Sequence, residues 1–359
     1  MMEQMTRNYS LAGPEKQRAH ERGLVDAEWY QCLIPRARLK QLMQRRNGPA
    51  LRDTLLWFAI LLISGYAAYL SWGTWWAVPA FMLYGAIYTV PAIAKWHEFS
   101  HGTPFKTSWM NDVMYYVCSF MTLTQAVYFT WSHPKHHTNT YIVGQDPEFF
   151  SPRPPNWRTL LLRFTGISVG YYLIANLFLH SCGRLSGELK EFIPASEQHK
   201  VYTEARIWLL LLAGIGVLSI YMGSILPLML VGLPAIYGFP FNYLLNVTQH
   251  AGLSEDVLDH RLNTRTFYTN RIIRFLYSDM NYHLEHHMFP MVPYYNLAAL
   301  HEEIKHDCPP AYPSYRTALR ESVSALWRQR KDARYTAIRP LPDTAKPYKL
   351  QPESRMEHS

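Results

Sequence analysis

Apolar and polar positions fall in long blocks along this chain. No Asp, Glu, Lys or Arg occurs in the 41 residues from Thr54 to Ala94, or in the 48 from Ile207 to Ser254. An α-helix crosses the hydrocarbon core in roughly 20 residues, so each run predicts two spans joined by a tight turn. The spans fall near 54–72, 75–95, 207–223 and 226–249, with turns at Ser71–Thr74 and Gly223–Ser224. Trp72, Trp75 and Trp76 around the first turn suit a membrane interface. Two buried hairpins of a large soluble helical protein are the weaker alternative at these lengths. The stretches 113–131 and 164–180 are also long and apolar enough to cross. Residues 314–336 predict an amphipathic helix with Leu319, Val323, Leu326 and Trp327 on one side.

This patterning divides the chain into an N-terminal segment (1–53), a membrane domain (54–338) and a proline-rich, flexible tail (339–359). The net charge of +8 would suit nucleic acid, but all 35 Lys and Arg lie outside the two uncharged runs. Ten of them precede Thr54, and the two outer turns carry none. The positive-inside rule then places both termini and the 96–206 segment in the cytoplasm, where the basic charge meets anionic lipid rather than nucleic acid. The first 50 residues contain no apolar signal-peptide core, so the first span is expected to act as the insertion signal. The four cysteines show no C-x-x-C spacing, and neither disulfides nor a cysteine zinc site is expected.

Eight of the 16 histidines form three clusters: His97 and His101 in HEFSH, His133, His136 and His137 in HPKHH, and His283, His286 and His287 in HLEHH. HEFSH alone is the H-E-x-x-H pair of a zinc protease. In H-x-x-H-H on a helix, the first and last imidazoles share a face while the middle one is turned away, so two such segments can feed two metals. Eight imidazoles exceed the three protein ligands of a catalytic zinc. Imidazole softness does not choose among iron, zinc, copper and nickel; ligand number and the lack of thiolates favour a redox-active di-iron pair.

HEFSH, HPKHH and HLEHH, in this order with a long gap before the third, resemble the three histidine boxes of the membrane fatty acid desaturase and hydroxylase superfamily. The resemblance runs from about Arg36 to Arg339. It is strongest toward bacterial desaturase-domain proteins that include the rhizopine-catabolism oxygenase, through WHEFSHGTPFKTSWMND and WSHPKHHTNTYIVGQDPE. It implies two irons, O2 as co-substrate, and an external donor, either ferredoxin with its reductase or a cytochrome b5. It also implies a ninth ligand, His250 in NVTQH, with Asn246 positioned to hold a metal-bound water. Glu98, Asp279 and Glu285 are expected to orient ligating imidazoles.

The boxes must meet at one site, so an even number of crossings separates any two of them. Segment 113–131 therefore cannot cross alone. Of 164–180 and the two later spans, which separate the second box from the third, only two can cross, and Arg163 with the polar Ser181–Arg184 flank makes 164–180 the interfacial one. The expectation is an all-α integral membrane protein: four transmembrane helices in two hairpins, interfacial helices, and a cytoplasmic helical cap holding a di-iron site. Desaturation and hydroxylation begin with the same hydrogen abstraction, so the boxes do not separate them. Acyl lipids are the expected substrates. The alternative is oxidation or demethylation of a small metabolite with a ferredoxin partner. An intramembrane zinc protease would leave two clusters unused, and a metal transporter would spread its ligands along a path between the membrane faces.

Overall fold

A computed structural model describes residues 7–349 of the chain. Its first helices are α1 (Pro14–Glu21), α2 (Arg36–Leu42), α3 (Asn47–Ser71), α4 (Ala77–Ser100), α5 (Ser108–Thr122) and α6 (Ala126–Thr138). Then come α7 (Trp157–Phe164), α8 (Ile167–Ser181), α9 (Gly187–Lys190), α10 (Ala195–Tyr221), α11 (Leu226–Leu230), α12 (Pro234–Tyr237) and α13 (Phe239–His250). The last five are α14 (His260–Asn263), α15 (Arg271–Leu276), α16 (His283–Met288), α17 (Leu297–Ile304) and α18 (Tyr315–Gln329). Among the described residues β-structure is limited to isolated bridges, Thr266 with Tyr282 and Phe267 with Tyr312.

Three helical stretches are long and apolar enough to cross a membrane: Arg36–Ser71, Ala77–Ser100 and Ala195–Tyr221. In the most apolar window of α10 only 22% of residues are buried inside the protein. Leu210, Val217 and Ile220 stand exposed there, as a helix facing lipid requires. α7 and α8 together pass the same test but are bent by 78° at Thr165–Gly166, so 164–180 is not a straight rod.

The apolar run 226–249 departs from expectation. Its continuous helix is replaced by three short ones, α11, α12 and α13. Val231 is extended, Gly232 adopts φ +97° and Pro234 has no N–H to give the Leu230 carbonyl, so the chain leaves the helix after Leu230 and restarts it at Pro234. The freed carbonyls are met by side chains: Tyr84 Oη donates to Leu230 at 2.7 Å and Tyr237 Oη to Met229 at 2.7 Å, while Thr89 Oγ1 adds a second donor at 2.7 Å to the Pro234 carbonyl, which already accepts from the Gly238 amide. Broken helices survive at membrane depth where their polar groups are paired in this way. Pro91 acts similarly in α4, and the Ile87 carbonyl one turn earlier accepts from the buried Trp57 indole at 2.9 Å.

α4 is the central helix, packed by α3 and α5 on its flanks and by α12 and α13 across a close crossing. At that crossing a Cβ on Gly238 would lie 2.2 Å from the Gly85 carbonyl oxygen, which is backbone and cannot swing aside. Gly238→Ala is expected to destabilise the fold by about 1–3 kcal/mol, read as a lower unfolding temperature of the purified protein.

Helix α18 is shorter than the predicted 314–336. It starts on a Ser314–Thr317 capping box and buries Ala318, Ala325 and Leu326, while Val323 and Trp327 stay exposed. The described part of the tail, residues 339–349, is non-helical but tied down. Fully buried Arg261 donates to the carbonyls of Lys346 and Pro347 and to Asp259, and its guanidinium lies 3.6 Å from the Tyr30 ring centroid. The remaining tail, residues 350–359, lies outside the described residues.

Candidate metal centre

Three helices end at one place. His97 and His101 lie at the C-terminal end of α4, the HPKHH cluster fills the last turns of α6, and His250 is the final residue of α13. Helix C-termini carry partial negative charge and favour cations. The short α16 brings His283, His286 and His287, all buried.

The nine imidazoles sort into two groups. Ligand atoms of His97, His101, His133, His137 and His286 lie within 4.8 Å of one another, as do those of His136, His250 and His287. His283 joins the second group, its Nε2 3.0 Å from His250 Nε2 and 3.1 Å from His287 Nε2. Each H-x-x-H-H cluster is thus divided: its outer pair goes to one group and its middle histidine to the other. The helical spacing argument anticipates this division.

The contacts suit metal ions better than protons. His133 Nε2 is 3.1 Å from both His101 and His137, and His137 Nε2 is 3.2 Å from His286. Each Nε2 offers one proton or one lone pair, so a chain of such contacts leaves some unpaired. A metal held by bonds of about 2.1 Å at right angles sets neighbouring nitrogens about 3.0 Å apart and uses every lone pair. The donor set therefore fits two metal ions.

Several of the opposite ring nitrogens are held by the protein, while Nδ1 of His137, His283 and His286 has no hydrogen-bond partner. His136 Nδ1 meets both oxygens of fully buried Asp146 at 2.9 and 3.0 Å. His133 Nδ1 lies 3.3 Å from Glu148, His287 Nδ1 is 3.1 Å from Thr140 Oγ1, and His250 Nδ1 donates to the Asn263 carbonyl at 2.7 Å. Glu98 Oε1 stands 3.2 Å from His97 Nδ1 and 3.7 Å from His286 Nδ1. Burial keeps His133, His137, His283, His286 and His287 well below the usual imidazole range, hence neutral. His136 is the exception: burial pulls it down, but the charge and hydrogen bond of Asp146, with Glu148, push it up to about 9. The same carboxylate field favours a metal cation at that ring.

Two expected carboxylates face elsewhere. Asp279 accepts from Arg274, and Glu285 accepts from Thr266 and pairs with His301; neither meets a box imidazole. Asp279 lies in the turn after α15, within reach of that helix's arginine. Glu285 points away because the ligating face of α16 is taken by its three histidines. The carboxylates in Asp146 and Glu148 come instead from the loop after α6. Gly144 turns this loop at φ +79°, and a Cβ there would lie 2.5 Å from the Lys16 amide nitrogen. Their separation from the box follows no helical period, so only proximity in the GQDPE stretch signals them. His260 stacks on Trp29 at 4.2 Å, with its ring centroid 5.2 Å from that of His287. Asn246 accepts from Tyr277 Oη at 3.4 Å and lines a cavity of about 160 Å³ with His97, His133, His136 and His283.

The description "Fatty acid desaturase" belongs to the family model that matches residues 73–318, more than half of the chain. The chain belongs to that family. Membership makes it an oxidoreductase, and the apolar helices agree with a membrane protein. Among the curated relatives it resembles, fatty acid conjugase FAC2 A of Calendula officinalis is 22% identical over 305 residues, covering 77% of this chain and 78% of its own. The acyl-lipid omega-3 desaturase (cytochrome b5), endoplasmic reticulum, of Arabidopsis thaliana is 24% identical over 287 residues (73% and 71%). The sn-2 acyl-lipid omega-3 desaturase (ferredoxin), chloroplastic, of Helianthus annuus is 24% identical over 271 residues (68% and 59%). These relatives speak to the desaturase family and not to the narrower bacterial likeness. The isolated zinc-protease reading of HEFSH has no support in this setting, because His97 and His101 share their group with three further histidines and Glu98 faces the imidazoles.

Proposed function

We propose that this desaturase-family chain is an O2-dependent di-iron oxidoreductase that desaturates or hydroxylates a C–H substrate, an acyl lipid by analogy with its relatives. The observation that carries the reading is the division of nine buried imidazoles into two neighbouring groups. His97, His101, His133, His137 and His286 would hold one iron, and His136, His250, His283 and His287 the other. When bound, the two irons supply the O2-dependent oxidation of an unactivated C–H bond.

The chain's own residues prepare that chemistry. Asp146, Glu98 and Glu148 hold Nδ1 atoms so that the Nε2 lone pairs converge, which raises ligand basicity. Asn246 offers a polar atom beside the two groups. Phe129, Met280, Ile93 and Trp96 give the adjoining cavity apolar walls that keep out bulk water and leave a bound C–H few alternative contacts. The centre and both termini face the cytoplasm in this reading, where an external ferredoxin or cytochrome b5 delivers electrons. The net charge of +8 suits an acidic donor.

Metal analysis of the purified protein tests the reading, with location of the bound metal by anomalous scattering. Iron at both groups is expected; zinc with no iron would overturn it. Aerobic turnover in expressing membranes, with ferredoxin and cytochrome b5 systems supplied separately, then identifies donor and product by mass spectrometry.

A further inference from the structure

The cavity beside the histidines does not end there. Trp96 borders it and also two adjoining spaces of about 190 and 400 Å³, which share Thr124, Val169, Leu173 and Phe239 with each other. Their common walls set the three spaces side by side, as branches of one chamber beside the metal centre between α4, α8 and α13. A chamber for a plain hydrocarbon chain would be apolar throughout.

This one is not. Asn242, with no exposed surface, lines the smaller branch, and neither its side-chain oxygen nor its nitrogen has a partner within the protein. Gln125 Nε2 and His180 Nδ1, on side chains 4% and 3% exposed, are likewise unpartnered in the larger branch. Trp96 Nε1, at the junction, has no partner either. These groups come from four different elements, so no single local motif accounts for them. Buried polar groups are costly unless paired, and a leucine at 242, with the same branching and heavy-atom count and no polar atom, would remove the penalty.

Resting on the proposed reaction site, we infer that the chamber takes a substrate bearing hydrogen-bonding oxygen or nitrogen groups on the part held inside the protein, bound by Asn242, Gln125 and His180. A saturated hydrocarbon segment would leave all of these groups unpaired, whereas a hydroxyl, carbonyl or amide answers them. Asn242 precedes His250 by two turns of α13, about 12 Å of helix. The recognised group therefore sits within a short chain's length of the oxidised carbon.

The test uses metal-free protein in nanodiscs, with binding of octanamide, 1-octanol and octane followed by saturation-transfer NMR. The polar probes are expected to bind at least tenfold more tightly than octane. Asn242→Leu should abolish most of that preference, retain octane binding, and leave the unfolding temperature equal or higher. Gln125→Met provides a second, independent loss of preference should the first variant fold poorly. Equal affinities for all three probes, or a preference that survives both substitutions, overturns the inference, with water then satisfying these groups. Because binding is read without iron, its failure leaves the di-iron reading standing, and an iron-free native protein would sink that reading alone.

Discussion

Replacing His137 by alanine is expected to empty one metal group and reduce turnover to background while leaving the metal-free fold nearly as stable as before. The His137 Nε2 lies 3.1 Å from His133 Nε2 and 3.2 Å from His286 Nε2, at the middle of the five-histidine group. Its Nδ1 has no hydrogen-bond partner within the protein. The ring therefore contributes one lone pair to the site and no hydrogen bond to the scaffold. Iron per chain, measured by plasma mass spectrometry, should fall together with product formation, while thermal unfolding of the metal-free variant tracks the parent. Retention of both irons and full turnover in His137→Ala would remove this residue, and the five-ligand grouping, from the mechanism. His301→Ala is the contrast: that imidazole pairs with Glu285 and Tyr268, not with the metal groups, and iron content should hold.

A second large effect is expected at Asp146, which no spacing rule singles out. Its Oδ1 accepts from the Glu148 amide at 2.7 Å and its Oδ2 from the Tyr141 amide at 2.8 Å, while both oxygens meet His136 Nδ1. In Asp146→Asn, either orientation of the amide points an N–H group at a backbone N–H. The variant loses the counter-charge that holds His136 and gains a donor–donor clash. A loss of about 10–100-fold in metal affinity or turnover follows from the orienting role. A stability cost of about 1–3 kcal/mol follows from the buried mismatch. Asp279→Asn, on a carboxylate that serves Arg274, should leave iron retention within a small factor of the parent. Competition with a calibrated iron chelator separates the two variants; equal retention in both would show that Asp146 does not orient His136.

How much of the site was legible in the chain depends on the range over which each feature acts. The eight box histidines are local patterns on helices, where i, i+3 and i+4 relations determine which rings share a face. Their division between two groups follows directly. His250 has no such partner in its own helix, and it was read from resemblance. Of the supporting carboxylates, Glu98 lies inside the first box and faces the imidazoles as expected, while the other two have no helical relation to a box. Asp146 and Glu148 reach back across an irregular loop, while Asp279, four residues before the third box, and Glu285, within it, turn toward Arg274 and His301. Neighbourhood in sequence is a poor guide to direction: Glu285 lies on the face of α16 that its histidines leave free, and Asp279 lies in a turn outside any helix.

The chain by itself determined the apolar runs, the three histidine clusters and the absence of charge within the spans, because hydrophobic content and helical period are properties of short segments. Only the tertiary structure decided that the run 226–249 breaks between Leu230 and Pro234. A proline break in an apolar run depends on whether groups elsewhere in the fold, here Tyr84 and Tyr237, can meet the freed carbonyls. It alone also placed unpaired Asn242, Gln125 and His180 around one chamber, since burial without a partner is a relation among elements far apart in the chain.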